Sequence, residues 1–216
     1  PRFADEANGW EQKLVSVNEY LLLLNSIQRK WAYLEPLFAR GALPNEQPRF
    51  KRVDKEFVSI LREVEADPRI MSLAQHSDYS EKLKAILEQI DRCQKALNEF
   101  LEQKRNKFPR FYFISDEDLL EILGQSKNPA VIQSHLKKLF MGINSVAFDE
   151  SKTAITCMIS SDGEEVPLAE NVAITDNNVE EWLIRLDDCM RLTLKNQLKQ
   201  CCGQGTATSA QVVQAY

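Results

Sequence analysis

Residues 79–105 read YSEKLKAILEQIDRCQKALNEFLEQKR. Tyr79, Leu83, Ile86, Leu87, Ile90, Cys93, Leu97, Phe100 and Leu101 recur at steps of three and four. That period puts them on one face of a helix. Glu81, Lys84, Glu88, Asp91, Arg92 and Lys95 fall on the other face, which reads as solvated. A long amphipathic helix of this kind must bury its apolar stripe against other elements, and together with the helical stretches around it the segment predicts a mainly α fold.

Upstream, Trp10, Leu14, Val17, Leu21, Leu24 and Trp31 keep similar spacing, and Leu22, Leu23, Ile27 and Leu34 widen the stripe. The width predicts packing among several helices instead of a two-stranded coiled coil. Pro36 is expected to kink or end this helix, with Gly41, Pro44, Asn45 and Pro48 in a loop. A second helix follows from about Phe50, carrying Val53, Phe57, Ile60, Leu61 and Val64, and Asp67 and Pro68 interrupt it. The first part, residues 1–107, is therefore read as a helical subdomain with helices near 8–35, 50–65 and 79–105.

Downstream the character changes. Phe108, Pro109, Arg110, Phe111, Tyr112 and Phe113 place four aromatics in six residues beside a proline, which reads as an extended, buried anchor. Ser115 precedes Asp116, Glu117 and Asp118 and then Leu119, Leu120, Ile122 and Leu123, a capped helix start with acids in the first turn. Gly124 closes that helix, and Asn128 with Pro129 opens another that carries Val131, Ile132, Leu136, Leu139 and Phe140. Alternating Val146, Phe148, Ile155, Cys157, Ile159, Val166, Leu168, Val172 and Ile174, with a turn at Asp162 and Gly163, predicts a β-hairpin or small meander near 145–174. A last long helix, near 178–201, is expected to turn Val179, Trp182, Leu183, Leu186, Met190, Leu194 and Leu198 inward. Residues 203–209 read as a polar loop, and 210–216 as the start of a further element. The second part is thus 108–216.

Composition narrows the function classes. The chain has 216 residues, 44% hydrophobic and 27% charged, with only 7 glycines and 8 prolines, the balance of a globular helical protein. A net charge of -5 argues against nucleic acid as a partner, which clustered Lys and Arg would attract. The apolar runs, such as the four leucines 21–24, fall far below the ~20 residues of a membrane span, so no membrane partner is expected. Cys93, Cys157, Cys189, Cys201 and Cys202 are odd in number and lack a C-x-x-C spacing, which suits a reducing compartment and offers no zinc ligand set. No G-x-x-x-x-G-K-[ST] or G-x-G-x-x-G is present, so no catalytic, cofactor or metal site is expected here. His135, beside Lys137 and Lys138, reads as an exposed or capping histidine. Pro1 in place of an initiator Met, and an unfinished last element, suggest a piece of a longer chain.

Lys104 and Arg105 followed by FPRFYFISDEDLLEIL, residues 108–123, resemble the signature stretch of the dynein heavy chain linker. QRKWAYLEPLF at residues 28–38, which holds Trp31, Leu34 and Phe38, is similar to the tryptophan helix of the same family. GALP at 41–44 and QSHLKKLF at 133–140 look most like the cytoplasmic dynein of cilia, which carries retrograde intraflagellar transport; an axonemal dynein stays open. The resemblance implies a middle part of the linker, an elongated multi-helix bundle that arches over the AAA+ ring of its own heavy chain and delivers the power stroke. It also implies a structural and mechanical signature at Trp31, Leu34, Phe38, Phe108, Pro109, Arg110, Phe111, Tyr112, Phe113, Asp116, Leu119 and Leu120. The hairpin turn at Asp162 and Gly163 is a candidate ring contact. ATP and Mg would belong to the parent motor, as would microtubules and the intermediate and light chains. The implied location is cytoplasm, cytoskeleton and cilium. A generic helical scaffold and an enzyme with an unrecognised site are the competing readings. An open sheet with a deep polar pocket, or clustered rings around Tyr112 facing water, would sink the lever reading.

Overall fold

The structure is a computed structural model that describes residues 3–39, 43–76, 78–125, 128–174 and 178–203. Six α-helices and a three-stranded sheet make up most of them: α1 (Ala4–Ala39), α2 (Gln47–Ala66), α3 (Tyr79–Lys107), α4 (Asp116–Gly124), α5 (Pro129–Leu139), β1 (Ser145–Phe148), β2 (Ala154–Ile159), β3 (Glu165–Ala173) and α6 (Val179–Gly203). Short 3-10 helices stand at Ile70–Gln75 and Pro109–Phe113. The mainly α class with a small antiparallel sheet in the C-terminal half is as expected. The chain divides into two compact units, residues 1–102 and 103–216.

In the first unit, α3 buries Tyr79, Leu83, Ile86, Ile90, Cys93, Leu97 and Leu101, most of the stripe its spacing predicts, with Leu87 and Phe100 half-buried. On α2 the buried set is Phe50, Val53, Phe57 and Ile60. Aromatic contacts knit these faces to α1. Phe38 stacks on Phe50 with ring centres 4.5 Å apart, and Trp31 leans on Phe57 at 5.8 Å while its indole N–H donates to Asp54 at 2.9 Å. Tyr20 meets Tyr79 edge to face at 6.1 Å and donates to the His76 carbonyl at 3.3 Å. Charged pairs edge the seam: Lys84 reaches Glu19 at 2.6 Å, and Lys30 bonds Asp91. Both are exposed, so each contributes little.

Two expectations for α1 need correction. The buried residues are Val17, Tyr20, Ile27, Leu34, Leu37 and Phe38, whereas Trp10, Leu14 and Leu21 are 49%, 57% and 40% exposed. The α1 face that meets the neighbouring helices runs through Tyr20 and Ile27, one register away from the stripe drawn through the largest apolar letters. Pro36 does not end the helix either. Its missing N–H leaves the Ala32 carbonyl without its usual donor, and buried Leu37 and Phe38 hold the last turn in place despite that loss. The Gln47 amide then donates to the Phe38 carbonyl at 3.2 Å, satisfying one of the open groups of the helix end. Gln47 and Pro48 already belong to α2, with the proline in its first turn; Gly41 and Ala42 of the expected loop lie outside the described residues.

In the second unit the strands lie in the order β1-β2-β3, all antiparallel. Val146 pairs with Met158, Met158 with Val166, and Ile155 with Val172. Val146, Ile155, Cys157, Met158, Leu168 and Val172 are buried. Helix side chains close both sheet edges, which would otherwise present open backbone groups. On the β1 side, the Gln133 amide donates to the Val146 carbonyl at 2.6 Å and accepts from the Val146 N–H at 3.0 Å. On the β3 side, the Thr193 hydroxyl accepts from the Ala169 N–H at 2.9 Å, and the Cys189 thiol donates to the Glu170 carbonyl at 3.2 Å. Replacing Gln133 by leucine strips Val146 of two partners, and unfolding by urea should show a loss of about 1–3 kcal/mol. An unchanged midpoint would contradict this account of the edge.

On α6 the buried residues are Val179, Glu180, Trp182, Leu183, Leu186, Cys189 and Thr193, while Leu194 and Leu198 are 51% and 54% exposed. The expected inward position of those two leucines is therefore wrong, because the sheet under α6 reaches only as far as Thr193. Residues 204–216, where a loop and a new element were expected, lie outside the described residues. Among the described residues no helix is long and apolar enough to cross a membrane.

Candidate functional site

The aromatic run forms a 3-10 helix, Pro109–Phe113, where an extended crossing was expected. A proline at its start presets the backbone, and the Phe111 N–H closes the turn onto the Phe108 carbonyl at 3.0 Å. Threefold winding separates the four rings. Phe108 and Phe111 turn inward, 3% and 0% exposed, and meet edge to face at 5.0 Å. Phe140 at the end of α5 completes the cluster, 6.2 Å from Phe108. Tyr112 and Phe113 turn outward, 54% and 71% exposed. Burial of all four rings is thus overturned: the two at Tyr112 and Phe113 meet the condition set against the lever, the two at Phe108 and Phe111 do not, and the run by itself no longer supports that reading.

Charged groups surround the buried pair. Arg110 donates to the Leu139 carbonyl and to Asp187 of α6, both at 3.1 Å, with its guanidinium 4.8 Å over the Phe140 ring. Arg105 donates to Asp116 at 2.7 Å and lies 5.8 Å from the centre of the Tyr112 ring. Planar guanidinium groups suit this double use of carboxylate and ring. The Ser115 side chain accepts from the Asp118 N–H at 3.1 Å, the N-cap that its position predicts. Leu119 and Ile122 go inward, and Leu120 is half-buried.

Sequence reasoning missed Glu180. It stands in the first turn of α6, 1% exposed, and accepts from Lys104 at 2.7 Å and from Lys107 at 3.3 Å. Burial pushes its carboxyl upward, but the Lys104 ammonium, its own backbone N–H and Lys107 outweigh that and leave it below the ordinary value. His135 was also misread. It is buried, 4% exposed, with Glu121 3.1 Å from one ring nitrogen; Ile132 and Leu136 on α5 go inward with it.

Trp31, Leu34 and Phe38 belong to the packed seam of the first unit. Phe108, Arg110, Phe111, Asp116 and Leu119 gather in the second, with Pro109 exposed between them. Asp162 and Gly163 lie exposed in the β2–β3 turn, where Gly163 takes a φ of 83° that favours glycine. The Ser160 hydroxyl accepts from the N–H groups of Asp162 at 3.3 Å and Glu164 at 3.1 Å, which makes the tip a defined turn.

Stability should fall on the acid side. Asp149 is held down to about 2 by the Ser151 hydroxyl and the Ala154 N–H, Asp67 to about 2 by Arg69, and Asp118 is lowered by Lys138. Glu180 is lowered as well. Each group has a folded pKa below its unfolded value, so its contribution is complete above the unfolded value of about 4 and is lost as pH falls through the folded one. Urea midpoints should hold between pH 8 and 6 and drop below about 4; a flat profile down to pH 3 would contradict this.

The family description Dynein heavy chain, N-terminal region 2, matches residues 1–201. The chain belongs to the dynein heavy chain family. It is 56% identical over 210 residues, 97% of its length, to cytoplasmic dynein 2 heavy chain 1 of Homo sapiens. The protein of that name in Chlamydomonas reinhardtii is 50% identical over 200 residues, 93% of the chain. The dynein heavy chain, cytoplasmic, of Caenorhabditis elegans is 38% identical over 202 residues, 91% of the chain. The chain spans about a twentieth of the two dynein 2 relatives, 5% of each, and 4% of the third. The higher identity to the dynein 2 heavy chains agrees with the lean of the GALP and QSHLKKLF stretches.

Proposed function

We propose that the chain is the middle part of the linker of a dynein heavy chain, and that it transmits changes in the AAA+ ring of the same chain as a power stroke along microtubules in cilia. The match to one region of the family over residues 1–201 carries this reading. The physics of the segment supports it. Stiffness under load comes from packed stripes, and the α3 stripe is buried from Tyr79 to Leu101 in one unbroken helix. The cluster of Phe108, Phe111 and Phe140, clamped by Arg110 and Asp187, fixes the chain just beyond that helix. ATP, Mg and hydrolysis belong to the rest of the motor in this reading, and this region supplies no reacting group. Intermediate and light chains meet it only through the parent complex.

The test uses the parent heavy chain. Phe111→Ala removes the centre of the cluster, and gliding velocity on microtubules should fall several-fold while basal ATP hydrolysis persists. Unchanged gliding would overturn the reading. In the same assay, replacing the turn at Asp162 and Gly163 should alter the coupling of hydrolysis to movement if that tip touches the ring. Unaltered coupling removes the tip from the proposed contacts.

A further inference from the structure

His135 has one ring nitrogen satisfied and one exceptional. Asp118 and Glu121 sit three residues apart on α4, and His135 faces both from α5 with 4% exposure. Nε2 is 3.1 Å from Glu121 Oε2, a hydrogen-bond distance. Nδ1 is 3.7 Å from Asp118 Oδ1 and, among the described residues, has no hydrogen-bond partner. When Nε2–H donates to Glu121, Nδ1 keeps its lone pair and aims it at a carboxylate oxygen. A buried ring lone pair faces a partly exposed carboxylate oxygen there, an arrangement that a positive centre between them stabilises. The 3.7 Å gap is too long for a hydrogen bond. It does match two ligand atoms sharing one ion at bonds of about 2.0–2.2 Å. Carboxylate oxygens of Asp118 and Glu121 and a ring nitrogen of His135 lie within 4.8 Å of one another.

We propose that Asp118 Oδ1 and His135 Nδ1 bind a divalent ion of the zinc, cobalt or nickel class, with Glu121 orienting the ring through Nε2–H. Imidazole with carboxylate is the donor set of that class, and a carboxylate behind the second ring nitrogen is the usual support of a ligating histidine. Lys138 takes the other oxygen of Asp118 at 2.7 Å and the Ser115 hydroxyl also bonds this carboxylate, so the site is a weak one. Water fills the remaining positions. The ion would tie α4 to α5 beside the aromatic cluster. This inference stands apart from the motor reading, because it needs only the second unit's own side chains.

The experiment adds Zn2+ to the whole 216-residue chain with Cys201→Ser and Cys202→Ser, since those exposed thiols bind zinc themselves. Nitrogen NMR reads His135 directly, and His76, the other of two histidines, is the internal control. The proposal expects a saturable shift of His135 Nδ1 at one ion per chain, no such shift at His76, and a Zn2+-dependent rise in melting temperature. Asp118→Asn and His135→Gln should abolish that rise, and Glu121→Gln should weaken binding by about 10–100-fold. Absence of any shift at His135 Nδ1 up to millimolar Zn2+ overturns the proposal even if the variants fail to fold. So does a shift at Nε2 instead, or a melting rise that survives Asp118→Asn.

Discussion

Replacing Trp182 by alanine should cost the second unit about 3–5 kcal/mol, the range for a large aromatic lost from a closed core. Trp182 is 1% exposed and among the largest fully buried side chains. Its neighbours on α6, Leu183 and Leu186, are buried with it, so the hole cannot be filled by a small rotation of the helix. The indole N–H has no hydrogen-bond partner among the described residues. That makes a second substitution informative. Trp182→Phe removes an unsatisfied donor along with part of the ring, and the gain offsets some of the lost packing. Urea unfolding followed by far-UV circular dichroism should therefore show a large loss for alanine and a distinctly smaller one for phenylalanine. Equal losses would mean that the indole N–H is satisfied in solution.

The second large effect centres on Glu180. Glu180→Ala withdraws the buried carboxylate from Lys104 and Lys107 and should cost about 3 kcal/mol, the lower end of the range for breaking a buried pair. Lys104 is 19% exposed at its side chain and Lys107 59%, so water recovers part of the loss. The contribution is a coupling, not a sum. A double-mutant cycle of Glu180→Gln with Lys104→Met should return more than about 1 kcal/mol of interaction, since groups in one charged network do not add. An interaction near zero would reduce Glu180 to a residue that merely fits its space.

Helix positions and the change to strands at Ser145 were legible because both follow from the period of apolar residues. The stripe on α3 is clean since every buried position there is apolar. On α1 the period alone misled: Trp10, Leu14 and Leu21 are apolar yet exposed, and nothing local says which face meets a partner. The aromatic run failed for a related reason. Its proline and ring density announce a special segment, but a 3-10 turn and an extended strand send alternate rings to different sides, and only the fold selects between them. Glu180 and His135 were opaque because burial of a charged or titratable group depends on partners 76 and 14 residues away. One signal was available for Glu180. An acid in a helix's first turn is ordinarily solvated, whereas this one shares its turn with Trp182 and Leu183, on a face that must be packed. The sheet edges carried no signal in Gln133 or Thr193, whose role appears only once β1 and β3 are placed.

In the proposed linker role, α3 works as a stiff, continuous rod. The most direct measurement inserts three glycines after Ile90 in the parent heavy chain and reads microtubule gliding velocity, stall force and ATP hydrolysis together. Ile90 is 0% exposed at the middle of the buried stripe, and glycine there disrupts both the helix and the register of everything after it. Velocity and stall force should fall several-fold with hydrolysis retained. Velocity and force equal to those of the unaltered motor would contradict it.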